Sequence, residues 1–514
     1  MVRAVFDRAA AMEELGRADL GHQARTKRLV HTAGVLAQAA AGRSLPDRLP
    51  NRADYEGALN LVNTPAVTHQ AILQPHVQGT RQRMLACEGV VLNISDLTEF
   101  DFSGLRVACL GPIGNGGGKG FECHNSLAVN PATGDLLGLT SQILHIRDSD
   151  IQIEAQRQPQ ATKAEEDVGN ATVAASASKC KGKGGRRPDE TAAQRHDRAS
   201  RESRLWVKGS EALGEIPEGK LWVDVCDRAA DIFEYLLYMA NKNRFYVIRS
   251  KHNRALEEAE GAELEVEGEG EEPPQRLHEL LRSLPGVMSW EVEVSANKGQ
   301  PARLAVVQMA WKQVLIKAPQ QYQGDHDGSA LKVWAIRVWE PNPPQGVKER
   351  LEWLLLSNVE VQTDEQARER VEWYEWRPAV EEYHKAQKTG MGIEQLQLQS
   401  RGGLEALIGL LSILAVILVN LRQQARQEEA ATQPAGEVVD PLWVKVLSIC
   451  MYGMECDLSV RQFVFDLARL GGYLNRRRDA WPGWLVLWRG LTKLLHMVQY
   501  ELARGKCSPT SPEL

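Results

Sequence analysis

GVVLNISDLT (residues 89–98), followed by FECHNSLAV (121–129) and DLLGLTSQILHI (135–146), decides the fold. The first run is rich in Val, Leu and Ile, and all three are separated by turn residues. The three together read as a β-meander of strand, turn, strand, turn, strand. The first run carries an anomaly, because Asp96 interrupts its apolar alternation. A carboxylate inside a buried strand costs several kcal/mol unless it is paired or binds a metal ion. Between the first two runs lies GPIGNGGGKG (111–120). A phosphate-binding P-loop needs Gly, four residues, then Gly-Lys-Ser/Thr. Here Lys119 precedes Gly120, and the first required position is Ile113, so the segment reads as a hairpin loop.

Outward from the meander, residues 1–75 read as helical, with apolar residues at helical spacing in TKRLVHTAGVLAQAAA and a basic cluster in RADLGHQARTKR. Residues 151–204, including ATVAASASKCKGKGGRRPDE, are small, polar and basic without an apolar period, which predicts a flexible insertion. Order resumes with the strand KLWVDVCD (220–227), a helix over about 229–242 and the strand RFYVIRS (244–250). Further strands follow in PARLAVVQMAW, LKVWAIRVWE and LEWLLLSNV, and the chain reads as mostly helical from 374 to its end. No internal repeat is visible.

The chain has 514 residues, 43% hydrophobic and 25% charged, a globular composition with room for about three domains. Its net charge of −6 argues superficially against a nucleic-acid partner. However, residues 255–272 hold nine Glu and no Lys or Arg, and without them the sum is +3. Residues 179–208 and 461–506 each sum to +6. The eight Cys form no CxxC pair and no Cys/His zinc spacing, which fits a reducing intracellular compartment. The start of the chain lacks the apolar core of a secretory signal. Residues 404–421, LEALIGLLSILAVILVNL, are apolar enough to reach the lower limit of a spanning helix. Polar flanks on both sides favour a buried or dimer-forming helix over a membrane span.

Three carboxylates stand out by context: Asp96 within one strand, Asp227 at the end of another, and Glu381 in WYEWRPAVEEYHKAQKTG. Brought together, they suit hard divalent cations that activate a water or a 3′-hydroxyl at a phosphodiester. Each taken alone also suits a turn or cap. Around Glu381 lie Tyr374, Arg377, Lys385 and Lys388. On one continuous helix these five residues fall within a stripe about 80° wide. Arg binds phosphate through a planar fork and Lys through a point charge. The plain alternative is a solvated face with Glu381–Lys385 pairing.

The spacing Tyr-x-x-Arg-x-x-x-Glu-x-x-x-Lys-x-x-Lys resembles the signature of the insertion-sequence-four (IS-four) family of DDE transposases. Further matches run nearly end to end: RADLGHQARTKRLVHTAGVLA, VCDRAADIFEYL, RFYVIRSKH, LEWLLLSN, EEYHKAQKTG and LARLGGYLNRRRDAWPGWLVLWRG. The resemblance implies an α/β, ribonuclease-H-like (retroviral-integrase-type) catalytic core over residues 76–395 with a mostly β insertion at about 251–350. Flanking it are a helical DNA-binding domain over 1–75 and a helical dimerisation domain over 396–514. It implies that Asp96, Asp227 and Glu381 form the catalytic triad and bind two Mg²⁺ or Mn²⁺ ions. Tyr374, Arg377, Lys385 and Lys388 would grip phosphates near the cut, and Arg249 would contact transposon-end DNA. Trp353 would stack on a flipped base; on its own it reads as a core Trp among leucines. Arg25 and Arg28 would recognise transposon ends.

The implied activity is cut-and-paste transposition: a homodimer pairs two inverted-repeat ends, nicks them, forms and opens hairpins, and joins 3′-hydroxyls to target double-stranded DNA. The implied setting is the bacterial cytoplasm, with no membrane partner. A catalytically inactive, DNA-binding regulator of the same ancestry is the alternative. Some positions depart from the family pattern: Leu97 follows the first Asp, Ala229 stands two residues after the second, and Gln387 replaces a frequent Trp. Pro378 predicts that the helix carrying Glu381 starts or kinks there. The nine-Glu stretch is expected to form a solvated loop pointing away from DNA.

Overall fold

A computed structural model describes residues 8–38, 44–49, 51–147, 201–257, 276–294, 302–320, 322, 328–345, 347, 350–476 and 481–506. The basic insertion 151–204, apart from its last four residues, and the acidic stretch 255–272, apart from its first three, lie outside the described residues.

Five helices lead the chain: α1 (Arg8–Leu15), α2 (Gln23–Gln38), the short α3 (Leu45–Arg48), α4 (Arg52–Val62) and α5 (His69–Ala86). The meander follows as β1 (Val90–Asp101), β2 (Gly111–Ile113), β3 (Gly118–Asn130) and β4 (Asp135–His145). β2 pairs with the start of β3, so the glycine loop is a hairpin connection. Then come α6 (Arg204–Glu211), β5 (Leu221–Cys226), α7 (Phe233–Asn241), β6 (Phe245–Arg249) and β7 (Leu256–Glu257). Next are α8 (Leu277–Ser283), β8 (Met288–Val294), β9 (Arg303–Ile316), β10 (Leu331–Trp339) and β11 (Glu352–Ser357). The sequence reading missed α8 and β8, whose short amphipathic patterns sit in mixed composition. The chain ends in α9 (Asp364–Glu375), α10 (Pro378–Lys385), α11 (Arg401–Gln424), α12 (Pro441–Tyr452), α13 (Val460–Leu470) and α14 (Trp484–Lys506).

The protein is a mixed α/β structure built on one eleven-stranded sheet, in the order β2-β3-β1-β5-β6-β11-β10-β9-β7, with β4 on β3 and β8 on β9. β1 runs parallel to β5, and β5 parallel to β6, while β3 and β4 are antiparallel to their neighbours. β3 is buried along most of its length, as expected of a strand covered on both faces.

The helix α11 contains the apolar run 404–421. Among the described residues it is the one helix long and apolar enough to cross a membrane, yet 89% of its apolar window is buried inside the protein. It packs against α5 and β4. Burial against protein accounts for its composition without a bilayer.

The expected boundary at residue 75 falls inside α5, which runs on to Ala86. The leading helices also share their core with the sheet: one apolar cluster extends from Ala10 through Leu29, Ile72, Ile94 and Leu127 to Leu411. A separate cluster joins α12, α13 and α14 around Phe463 and Leu494.

A charged clamp ties α1 to this core. Leu139 N–H donates to His76 Nε2 at 3.0 Å. His76 Nδ1–H is therefore free to donate to the Glu14 carboxylate. Arg83 Nη2 reaches the same carboxylate at 3.1 Å. Burial pushes Glu14 up, but His76 and Arg83 overcome it and hold the group down at about 2, against an ordinary 4.5. Its stabilisation is therefore present above about 4.5 and lost as pH falls through about 2. Glu14→Gln is expected to lower stability at pH 7 by roughly 2–3 kcal/mol. In denaturant titrations the gap from the parent should narrow as the pH falls below 4.5; a gap independent of pH would refute the charged clamp.

Candidate active site

β1 and β5 lie side by side and parallel, with Ser95 level with Cys226. The next residue on each chain is an Asp, so Asp96 and Asp227 emerge together. Asp227 Oδ1 accepts from Ala229 N–H at 2.8 Å and so caps the short 3-10 turn Arg228–Ala230. The capping role and the site role therefore coincide, because Oδ2 is left to face Arg377.

Glu381 arrives from far along the sequence. α9 ends at Glu375, and α10 begins at Pro378, its first-turn proline. A proline in the first helical turn loses no hydrogen bond, which is why the break occurs there. Glu381 sits in that first turn, where the helix dipole favours a carboxylate. The α-helical stripe expected over 374–388 is thus divided in three. Tyr374 lies on α9, Arg377 at the start of α10, and Lys388 on a π-helical turn, Ala386–Gly390.

The three carboxylates converge on one guanidinium. Arg377 Nη2 donates to Asp96 Oδ2 at 2.8 Å and lies 3.7 Å from Asp227 Oδ2. Arg377 Nη1 donates to Glu381 Oε1. Side-chain exposure rises from 12% at Asp96 through 30% at Asp227 to 46% at Glu381, so Asp96 is the inner wall and Glu381 the mouth. Burial raises Asp96 to about 6, with Arg377 pulling it down and Asp227 pushing it up. Among the described residues no three His, Cys, Asp or Glu side chains already form a metal-ligand cluster. In chemistry the carboxylates fit Mg²⁺ or Mn²⁺, being all-oxygen hard donors gathered about a positive charge. An ion would take the place that the guanidinium holds.

Arg249 and Lys388 bring positive charge near the carboxylates. Lys385 is exposed, and Lys388 Nζ lies 3.6 Å from Glu394 Oε1. Arg249, at the end of β6, faces the Tyr374 hydroxyl and donates from Nη2 to the Glu352 carbonyl at 3.1 Å. Burial raises the Tyr374 hydroxyl, and the Arg249 and Arg377 charges oppose that rise. Trp353 is half-buried and stands edge-on to Tyr374, with ring centroids 6.0 Å apart. Arg25 and Arg28 lie on α2. Arg25 Nη1 donates to the Leu20 carbonyl at 2.9 Å, and Arg28 Nη1 lies 3.5 Å from Asp54 Oδ1.

Sequence reasoning missed several neighbours. Arg228 lies beside Arg249 and adds to that positive charge. His384, inside the motif, has Nδ1 4.0 Å from Asp96 Oδ2. Burial, with Lys388 and Arg377 close by, holds it neutral by lowering it to about 3. His124, from β3, is fully buried and is likewise driven down to about 3 by burial. A Cβ on Gly209 would come within 2.3 Å of the His124 ring, so a glycine is required for α6 to pack there. Position in the motif could have flagged His384; nothing in the pattern marks His124.

Asp96 has a folded value above its unfolded one. Its stabilisation is present below about 4 and lost as pH rises through about 6. Carboxyl-carbon NMR should find Asp96 titrating near 6, and Arg377→Gln should move that midpoint higher, because the nearest positive charge is gone. An unmoved or lowered midpoint would refute the guanidinium contact. No family model matches the chain. Among solved structures the chain is similar to a cryo-EM structure of the piggyBac transposase synaptic complex with hairpin DNA. The match covers 100% of this chain and 84% of that chain at 10% identity, with a TM-score of 0.35.

Proposed function

We propose that this chain is a cut-and-paste DNA transposase of the DDE type. The observation that carries the reading is the convergence of Asp96, Asp227 and Glu381, from two neighbouring strands and a distant helix, on one cationic position. The order β4-β3-β1-β5-β6, three antiparallel strands followed by two parallel ones, supports a ribonuclease-H-like core. The motif resemblance over residues 374–388 supports the IS-four family. Two bound Mg²⁺ or Mn²⁺ ions would supply Lewis-acid activation of a water or 3′-hydroxyl and stabilisation of the leaving oxygen.

The residues of the chain divide the remaining work. Asp96, Asp227 and Glu381 would hold the ions as carboxylates. Arg377 offers a planar fork to the phosphate flanking the cut. Tyr374, Arg249, Lys385 and Lys388 hold that backbone in line, which converts a bimolecular attack into a positioned one. The Trp353 face receives an unstacked base during hairpin formation. Arg25 and Arg28 on α2 contact transposon ends, and the helices after residue 396 pair two copies in the synaptic complex. Nicking, hairpin formation and joining to target double-stranded DNA follow from repeated use of one site.

Glu381→Ala is expected to lower Mn²⁺-dependent nicking of supercoiled plasmid by roughly 10³-fold or more while leaving plasmid binding within about twofold. Full nicking by this variant would sink the assignment.

A further inference from the structure

The segment after Glu381 contains Gln387, which the proposed mechanism leaves unused. It is fully buried, beside a lysine whose side chain is 33% exposed. A buried amide needs partners, and Gln387 has several. Its Nε2 donates to Ser412 Oγ of α11 at 2.9 Å and to the Tyr383 hydroxyl of α10 at 3.1 Å. Its Oε1 accepts from Asn125 Nδ2 of β3 at 3.3 Å. Gln142 of β4 closes the set, with Nε2 2.8 Å from Asn125 Oδ1 and 2.9 Å from Ser412 Oγ. Tyr383 donates onward to the Ser412 carbonyl at 3.1 Å.

These five side chains come from four elements and the π turn, and all are buried. An apolar contact at this spot could slide by a fraction of a turn at small cost. A satisfied hydrogen-bond cluster has one registration, and breaking it strands buried polar groups without partners. Its strand member is directly informative, because Asn125 is the cross-strand partner of Asp96. The cluster therefore ties the turn after Glu381 to the strand residue paired with the first carboxylate.

The π turn sharpens the point. Met391 N–H bonds back to the Ala386 carbonyl at 2.7 Å, so the turn is wider than an α-helix by one residue. That widening points Gln387 into the cluster and leaves Lys388 at the mouth, near Glu394 and His384.

Resting on the carboxylate reading above, we propose that Gln387 is a positioning residue: through the Asn125–Gln142–Ser412–Tyr383 cluster it fixes Lys388 beside the carboxylates. The departure from the family's frequent Trp is thus coupled to polar partners on β3, β4 and α11.

The test uses the full chain, supercoiled plasmid and saturating Mn²⁺. Gln387→Met keeps the length of the side chain and removes its hydrogen bonds. It should slow nicking by about tenfold or more, the range seen for groups that orient ligands. Plasmid binding should stay within about twofold of the parent. In a Lys388→Ala background the same change should cost little more, because Gln387 acts through Lys388. Ser412→Ala removes a shared hydroxyl outside the catalytic segment and should show the same Lys388-dependent loss, even where Gln387→Met fails to fold. Equal fractional losses in both backgrounds, or unchanged nicking by Gln387→Met, overturns the positioning role. Glu381→Ala runs alongside: an inactive Glu381→Ala with a fully active Gln387→Met overturns this inference alone, whereas a fully active Glu381→Ala overturns the carboxylate reading and this inference with it.

Discussion

Three carboxylates within reach of one another repel, and the inner one is mostly buried. Such a set persists in a folded chain when protons or a positive charge offset the repulsion. Here the Arg377 guanidinium provides the charge, touching Asp96 and Glu381 directly and lying 3.7 Å from Asp227. Every other feature near the site follows from keeping that meeting in place. The parallel pairing of β1 with β5 brings the two aspartates level. The proline break before α10 turns Arg377 and Glu381 toward them. One residue thus holds the three carboxylates together.

The helices outside the sheet are part of the same construction. α11 is buried against α5 and β4, and it also supplies Ser412 to the polar cluster under Gln387. The α1 carboxylate Glu14 is clamped by His76 and Arg83, and His76 in turn accepts from the β4 backbone. The leading helices are thus joined to the strands of the sheet by one shared core. Packed and hydrogen-bonded side chains run continuously from α1 and α11 to the strands that carry the aspartates.

Much of the strand pattern was legible because it obeys local rules. β1 and β4 are β-branched or leucine-rich runs between turn residues, β3 is an extended run bounded by turns, and β5 and β6 are short apolar runs. The proline at 378 announced the start of α10 for an equally local reason. The extent of α5 was misjudged, because the helix runs through Pro75, a residue that ordinarily ends or kinks a helix, and on through polar positions to Ala86. The single stripe over 374–388 was also misjudged. Pro378 announced the break, but uniform 100° steps cannot anticipate the π turn that follows; Tyr374, Arg377 and Glu381 still lie close together.

By itself the sequence determined which residues could do chemistry: Asp96 as a misplaced charge in an apolar strand, Asp227 at a strand end, and Glu381 amid cations. It also determined the local elements that carry them, since periodicity and turn chemistry act over a few neighbours. Only the tertiary structure decided what those residues meet. That Arg377 contacts carboxylates, that Gln387 joins Asn125 from 262 positions away, and that an apolar helix is buried against protein are outcomes of long-range pairing. Such contacts depend on strand register and packing between distant segments, and these leave no periodic mark on the residues that make them.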